Sequence, residues 1–404
     1  MKYKIREIQI HPIQHQGQEM LLLRDPLALS DASIAIPRPL APLLALMDGT
    51  RDAAEMEAAL QVRAGVRLAP GLMDKLLLDL DAAYLLDNER FAAARAAALE
   101  AYRAAPFRAL TLDGSSFAPR SDLAGAQLQG YVDALPPAEP AGKAGAIRGL
   151  VSPHIDYQRG GPVYAEVWRA AAQAAREAEL AIILGTDHQG DLGTVTPTRQ
   201  SYATPWGVLP TAGAVVEALA EALGEETAFA EELNHRSEHS IELAAVWLHF
   251  MRGGEPVPLV PVLCGSFAAF VAGEANPAEH PPFAAAIEVL GKAMAGHRCL
   301  VVAAADLAHV GPAFGDRHGL DFVARAQQRS ADERLLAAVY AGDHADFFAQ
   351  IRDEGDRRNV CGLPPIYLAL RLLGQVRGRP AGYAQCPADP QGLSFVTIAG
   401  VILE

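Results

Sequence analysis

The sequence predicts an α/β protein with a central, mostly parallel or mixed sheet flanked by helices, preceded by a small, mainly helical domain. Three observations carry that expectation. Apolar runs of strand length alternate with helical stretches through the C-terminal part of the chain. The N-terminal part instead shows amphipathic helical patterns in succession. Between them, LPPAEPAGKAGA has no apolar periodicity and has a linker's composition. A chain of 404 residues has room for two or three domains, or for one large α/β domain with an appendage.

On the N-terminal side, PLAPLLALMDG carries an apolar face closed by a glycine. Thr50 is expected to cap RDAAEMEAALQ, and GLMDKLLLDLDAAYLL forms a third amphipathic segment before DNERF. Helices followed by a short turn describe a winged-helix-like module over residues 1–104. Asp and Glu slightly outnumber Lys and Arg there, which favours docking of a protein or peptide over DNA; a helical cap on the larger domain is the plainer alternative. AAARAAALEAYRAA reads as an Ala-rich connecting helix, residues 105–146 as a connecting segment and linker, and residues 147–404 as the α/β domain. In that domain AIRGLVS, ELAIILG, VPLVPVLCG, CLVVAAA and SFVTIAGVILE read as strands. GPVYAEVWRAAAQAAREA, SIELAAVWLHFMR and PPIYLALRLLGQ read as helices.

Composition narrows the function. A net charge of −14, from 34 Lys and Arg against 48 Asp and Glu, repels phosphate backbones, and no basic run offsets it. No nucleic-acid partner is expected. No apolar run reaches the roughly 18 residues of a membrane span, and the N-terminus shows no secretory signal, so a cytoplasmic protein without a membrane partner is expected. The four cysteines form no CxxC pair, which argues against a disulfide scaffold or zinc finger. Cys264, Cys299 and Cys386 lie in or beside strand-like runs and are expected to be apolar filling.

The chemistry is written where strands stop. His154 and Asp156 follow the first run, Asp187 and His188 the second, and Asp306 and His309 follow CLVVAAA. Carboxyl ends of strands in an open α/β sheet converge on one crevice, and imidazoles with carboxylates gathered there suit a divalent transition metal. In NHRSEHSIE a helix would stack His235 and His239 on one face. The pattern is not HExxH. His239 and Glu242 are expected to face the pocket and His235 to be exposed. Cys361, before the apolar helix of NVCGLPPIYLALRLL, would sit at a helix N-terminus, where a thiolate is stabilised as a ligand or nucleophile; a buried apolar role is the alternative.

Taken in order, PHIDYQRGGPVYA, LGTDHQG, YATPWG, EHSIE, PLVPVLCG, VVAAADLAHVG and VCGLPPI resemble the Memo family, whose bacterial members are called AmmeMemoRadiSam system protein B. The resemblance spans about residues 148–404. It implies a fold like that of the class III extradiol dioxygenases and a metal held by His154, His188 and Cys361, with iron(II) expected and copper or zinc as alternatives. It also places His309 as the acid/base group, with Asp306 and His239 beside it. Three departures stand out. Asp156 in PHIDY, where the family commonly has PHAGY, falls near the metal. Gln189 replaces a second His of the family's SHH. Cys361 stands where the dioxygenases have a carboxylate, and a thiolate favours softer ions.

These features together lead to an expected metal-dependent, dioxygenase-like oxidoreductase acting on a small phenolic or enolic molecule. Asp187 would fix the tautomer of a ligand histidine, and YATPWGVLPT would form a loop over the pocket with Tyr202 or Trp206 as an apolar wall. The resemblance implies a radical-SAM protein and an AMMECR1-like protein as pathway partners. Two other readings remain: a non-catalytic metal- or peptide-binding module, for which Arg159 is the best anion contact, and a metal-free enzyme with Cys361 as nucleophile.

Overall fold

A computed structural model describes residues 1–112, 114–137 and 146–404 of the chain. Most of the expected linker, LPPAEPAGKAGA, lies outside the described residues. The chain forms two compact units, Met1–Ala105 and Pro106–Glu404.

The first unit opens with a three-stranded antiparallel sheet, β1 (Gln9–His15), β2 (Gln18–Arg24) and β3 (Ile34–Pro37), in the order β1-β2-β3. Gln16 and Gly17 both have positive φ, the backbone a two-residue type I′ hairpin requires. Helices were expected here, and these strands were not. Their signal is weak because β1 contains Pro12 and is exposed at five of its seven positions, so no period-2 apolar pattern builds. The expected helices follow at Ala41–Leu46, Ala53–Ala64, Leu72–Ala82 and Glu89–Ala104. The cap of the second is Asp52, not Thr50. The Asp52 carboxylate accepts from Glu55 N while the Glu55 side chain accepts from Asp52 N, a reciprocal capping box; Thr50 instead donates to Asp48. Leu23, Ile36, Leu43, Met56, Leu60, Met73 and Leu80 close this unit's own core.

The second unit has the expected fold class. Its strands are β4 (Gly149–Ser152), β5 (Leu180–Thr186), β6 (Val195–Pro197), β7 (Tyr202–Thr204), β8 (Gly207–Leu209), β9 (Leu259–Cys264), β10 (Cys299–Ala304), β11 (His309–Val310), β12 (Gly378–Pro387) and β13 (Phe395–Leu403). The main sheet runs β11-β13-β4-β10-β5-β9-β6, with β12 also on β13, while β7 and β8 form a separate hairpin. β4, β10, β5 and β9 are mutually parallel, and the outer strands are antiparallel, so the sheet is mixed.

Successive residues of β5 face opposite layers, as a strand buried on both faces requires. Ile182 and Leu184 join the core under the helices Gly213–Leu223, Pro281–Ala295, Phe322–Ala341, His344–Asp353 and Leu363–Leu373. Ala181 and Ile183 join the core under Ser121–Asp133, Tyr157–Ala170 and Ser240–Met251. Residues 106–112 and 114–137, read from the sequence as the start of a connector, are built into this unit: Arg108 bridges to Tyr202 on β7, and the Tyr131 ring packs on Gly161 of the facing helix. Among the described residues no helix is long and apolar enough to cross a membrane.

Candidate metal centre

The parallel order β4-β10-β5 brings three strand ends side by side. Each is followed within two residues by a group with chemistry: His154 after β4, Asp306 after β10, and Asp187 and His188 after β5. The turn before the helix Leu363–Leu373 closes over them, with Gly362 N donating to Asp306 O (3.1 Å) and Thr186 Oγ1 to Cys361 O (3.1 Å). His154, His188 and Cys361 thereby offer ligand atoms all within 4.8 Å of one another.

Each imidazole is held by its far nitrogen. His154 Nδ1 donates to Ala304 O (3.0 Å), which turns Nε2 to the Cys361 sulfur at 3.3 Å. His188 Nδ1 donates to Glu238 Oε2 (2.9 Å), leaving its Nε2 for the centre. Asp306 accepts from His154 N (2.8 Å) and Ile155 N (3.3 Å), fixing the turn, and its other oxygen lies 3.8 Å from His154 Nε2. The His239 ring stacks on His188, with centroids 5.0 Å apart and an 11° interplanar angle, and meets His154 edge-on at 5.5 Å. His309 Nδ1 faces the carbonyls of Asn359 (3.2 Å) and Leu307 (3.3 Å), while the ring interacts with the Cys361 sulfur.

Opposite charges dominate the electrostatics. Burial pushes the Cys361 thiol up, but the His154 and His309 imidazoles outweigh it and hold the group well below its ordinary value. Burial draws His154 down, and Asp306 and Cys361 more than reverse this, leaving it at about 9. Burial likewise disfavours charge on His188 and Glu238, yet the pair stabilise each other, His188 well upward and Glu238 well downward.

Several expected roles are corrected. Asp156 does not sit on the centre: it caps the helix Tyr157–Ala170 through Arg159 N (3.1 Å) and pairs with the Arg159 guanidinium. Arg159 is thus already engaged, and it also donates to Pro387 O. Asp187 holds no ligand histidine. It accepts from Asn234 Nδ2 (3.0 Å) and Gln189 N (3.0 Å), and burial raises it to about 6; Glu238 does the work expected of it.

Glu242 is buried and committed to residues 108–112, accepting from Arg108, from Thr111 N and Oγ1 and from Leu112 N. His235 is fully buried, not exposed. The helix Ser240–Met251 starts one residue after His239, so no helix stacks His235 with His239; His235 instead donates to Thr196 O and accepts from Tyr202 Oη (2.6 Å). Tyr202 and Trp206 form no pocket wall. Trp206 packs on Phe250 at 5.7 Å, at the far end of that helix and about 15 Å along its axis from His239.

Glu238, Arg108 and Thr111 were missed. Glu238 stands beside His239 in EHSIE and is separated from His188 by 50 positions, so only the fold reveals the contact. Cys264 and Cys386 are buried thiols, as expected, and burial raises Cys386 to about 11 and Cys299 to about 12.

Residues 108–388 match the family model described as Memo-like protein. The chain is 24% identical over 411 residues to a "MEMO1 family protein" of Aquifex aeolicus, covering 100% of both chains. A MEMO1 family protein of Methanopyrus kandleri is 27% identical over 246 residues, 59% of this chain and 76% of the relative. The "Protein memo-1 homolog" of Caenorhabditis elegans is 26% identical over 240 residues, 58% and 63% of the two chains.

Proposed function

From the premise that this chain belongs to the Memo-like family, we propose that it holds a divalent transition metal on His154, His188 and Cys361 and acts as a non-haem-iron-type oxidoreductase on a small phenolic or enolic substrate. The observation that carries the reading is the His154 Nε2 to Cys361 Sγ separation of 3.3 Å, with both ligand imidazoles locked by their Nδ1 atoms. Ligand bonds of 2.0–2.3 Å at tetrahedral angles set neighbouring ligand atoms about 3.5 Å apart, so the cluster has the spacing an ion needs. The two imidazoles accept iron(II), the ion the family resemblance implies, while the thiolate favours the softer copper or zinc, which are the alternatives. A bound iron(II) supplies Lewis acidity toward a substrate hydroxyl and electrons for chemistry with O₂.

The remaining work falls to the chain. His309, anchored through Nδ1 on Asn359 O and Leu307 O, carries the proton of the substrate hydroxyl. His239, about a third exposed, lines the open side beside His188 and orients the substrate. Asp306 fixes the His154 turn. The protein is cytoplasmic in this reading and works in a pathway with a radical-SAM protein and an AMMECR1-like protein, with the N-terminal unit as a protein- or peptide-docking module.

Anaerobic loading with iron(II) followed by O₂ electrodes and catecholic or enolic compounds tests this reading. Wild type is expected to consume O₂ with a stoichiometric metal, and His188→Ala to lose both. Full metal occupancy with no consumption across the panel would leave a metal-binding module. A second reading rests on the Cys361 thiolate, which His154 and His309 stabilise without any ion. Activity that persists in chelator and disappears on alkylation of Cys361 would favour it.

A further inference from the structure

Glu238 is a buried carboxylate that meets two imidazoles at once. Oε2 accepts from His188 Nδ1 (2.9 Å) and His188 N (3.1 Å). Oε1 accepts from His239 N (2.7 Å) and Ser240 N (3.0 Å) and lies 3.1 Å from His239 Nδ1. Four hydrogen bonds and the His239 contact occupy two oxygens, which leaves little acceptor capacity for an ion. The close grouping of His188, Glu238 and His239 is therefore a hydrogen-bonded clasp and not a second ion site.

The clasp is itself anchored. Arg108 donates to Glu238 O (2.7 Å) and to His235 O (2.9 Å), and its guanidinium pairs with buried Glu242. Glu238 N donates to Asn234 O (3.0 Å). Backbone and side chain of Glu238 are both fixed, so the headings of the two rings are fixed with them.

We propose that Glu238 is the positioning residue of the centre: one carboxylate aims His188 Nε2 at the position shared with Cys361 and holds His239 parallel beside it. The inference rests on the metal-binding reading above. Both rings are committed through Nδ1, so both present Nε2 toward the open side. Losing the carboxylate frees His188 to rotate or to present the wrong nitrogen, and loss of such an outer partner weakens metal affinity by roughly 10–100-fold.

The test is an anaerobic Co(II) titration of the full-length protein, read by absorbance. Wild type is expected to bind one ion with a sulfur-to-cobalt charge-transfer band. Glu238→Gln should bind roughly 10–100-fold more weakly with altered d–d bands, yet keep the charge-transfer band, because Cys361 still binds; Cys361→Ser should lose that band. Glu238→Asp keeps the charge but is one methylene too short to serve both rings, and should fall between. It carries the test if circular dichroism shows the Gln variant unfolded. Wild-type affinity and d–d bands in both Glu238 variants would overturn the proposal alone. Wild type taking up no Co(II) would overturn the metal-binding reading, and the positioning role with it.

Discussion

The Cys361 sulfur lies 3.3 Å from His154 Nε2, although 207 positions separate the two residues. His154 arrives at the end of β4, and Cys361 arrives in the turn before the helix Leu363–Leu373, whose Gly362 N is bonded to Asp306 O. The contact is thus a product of sheet topology and one loop, and it can be disturbed from either side.

Removing the sulfur is the mildest disturbance. Cys361→Ser is expected to keep the fold, because a small side chain replaces another of similar volume, while iron retention falls by at least about 10-fold. Metal content after anaerobic desalting checks this; unchanged occupancy would remove the sulfur from the ligand set.

The loop offers a second handle in Gly362. A Cβ there would overlap the Asp306 carbonyl oxygen and the Ala305 Cβ, both of which belong to the strand-end turn. Gly362→Ala should therefore lose about 1–3 kcal/mol of stability and lower metal affinity together. Urea unfolding and a Co(II) titration would show the two losses; a variant as stable as wild type would mean the turn yields without cost.

Arg358 ties the same loop to the fold. Its guanidinium pairs with buried Asp332 (2.6 Å) and with Glu354 (2.7 Å), and its carbonyl accepts from His309 N (2.8 Å). Asp332 also accepts from Tyr383 Oη (2.9 Å) and Gln328 Nε2 (3.0 Å). Arg358→Met leaves a buried carboxylate without its cation and should cost about 3–5 kcal/mol by urea unfolding, whereas Arg358→Lys should cost less. A loss under about 1 kcal/mol for the Met variant would show that the pair holds nothing in place.

His235 gives a pH dependence with a definite sign. Burial lowers its imidazole to about 3, as a neutral ring donating to Thr196 O and accepting from Tyr202 Oη. The unfolded chain takes up this proton near pH 6.5, so the stability it contributes is present above that pH and declines as pH falls toward about 3. The thermal midpoint of wild type should drop over this range more steeply than that of His235→Gln. Parallel pH profiles for the two proteins would contradict the assignment.

How much of this was legible in the sequence follows from what each signal depends on. β4, β5, β9, β10 and β13 are buried on both faces and read as largely apolar runs, and the polar residues that follow three of them, β4, β5 and β10, marked the centre. β1 carries no such run. Glu238 was hidden for another reason: in EHSIE, helical spacing pointed to His235 and His239, whereas the helix begins only at Ser240. Arg108 lies in a segment without periodicity, and nothing local announces that its guanidinium reaches Glu242, 134 positions away.

The proposed chemistry depends above all on an ion shared by three side chains. Crystals grown anaerobically with iron(II) and measured at the iron absorption edge test that most directly. A single anomalous peak bonded to His154 Nε2, His188 Nε2 and Cys361 Sγ is the predicted result; iron bound elsewhere, or no iron in crystals grown with an excess of it, would contradict it.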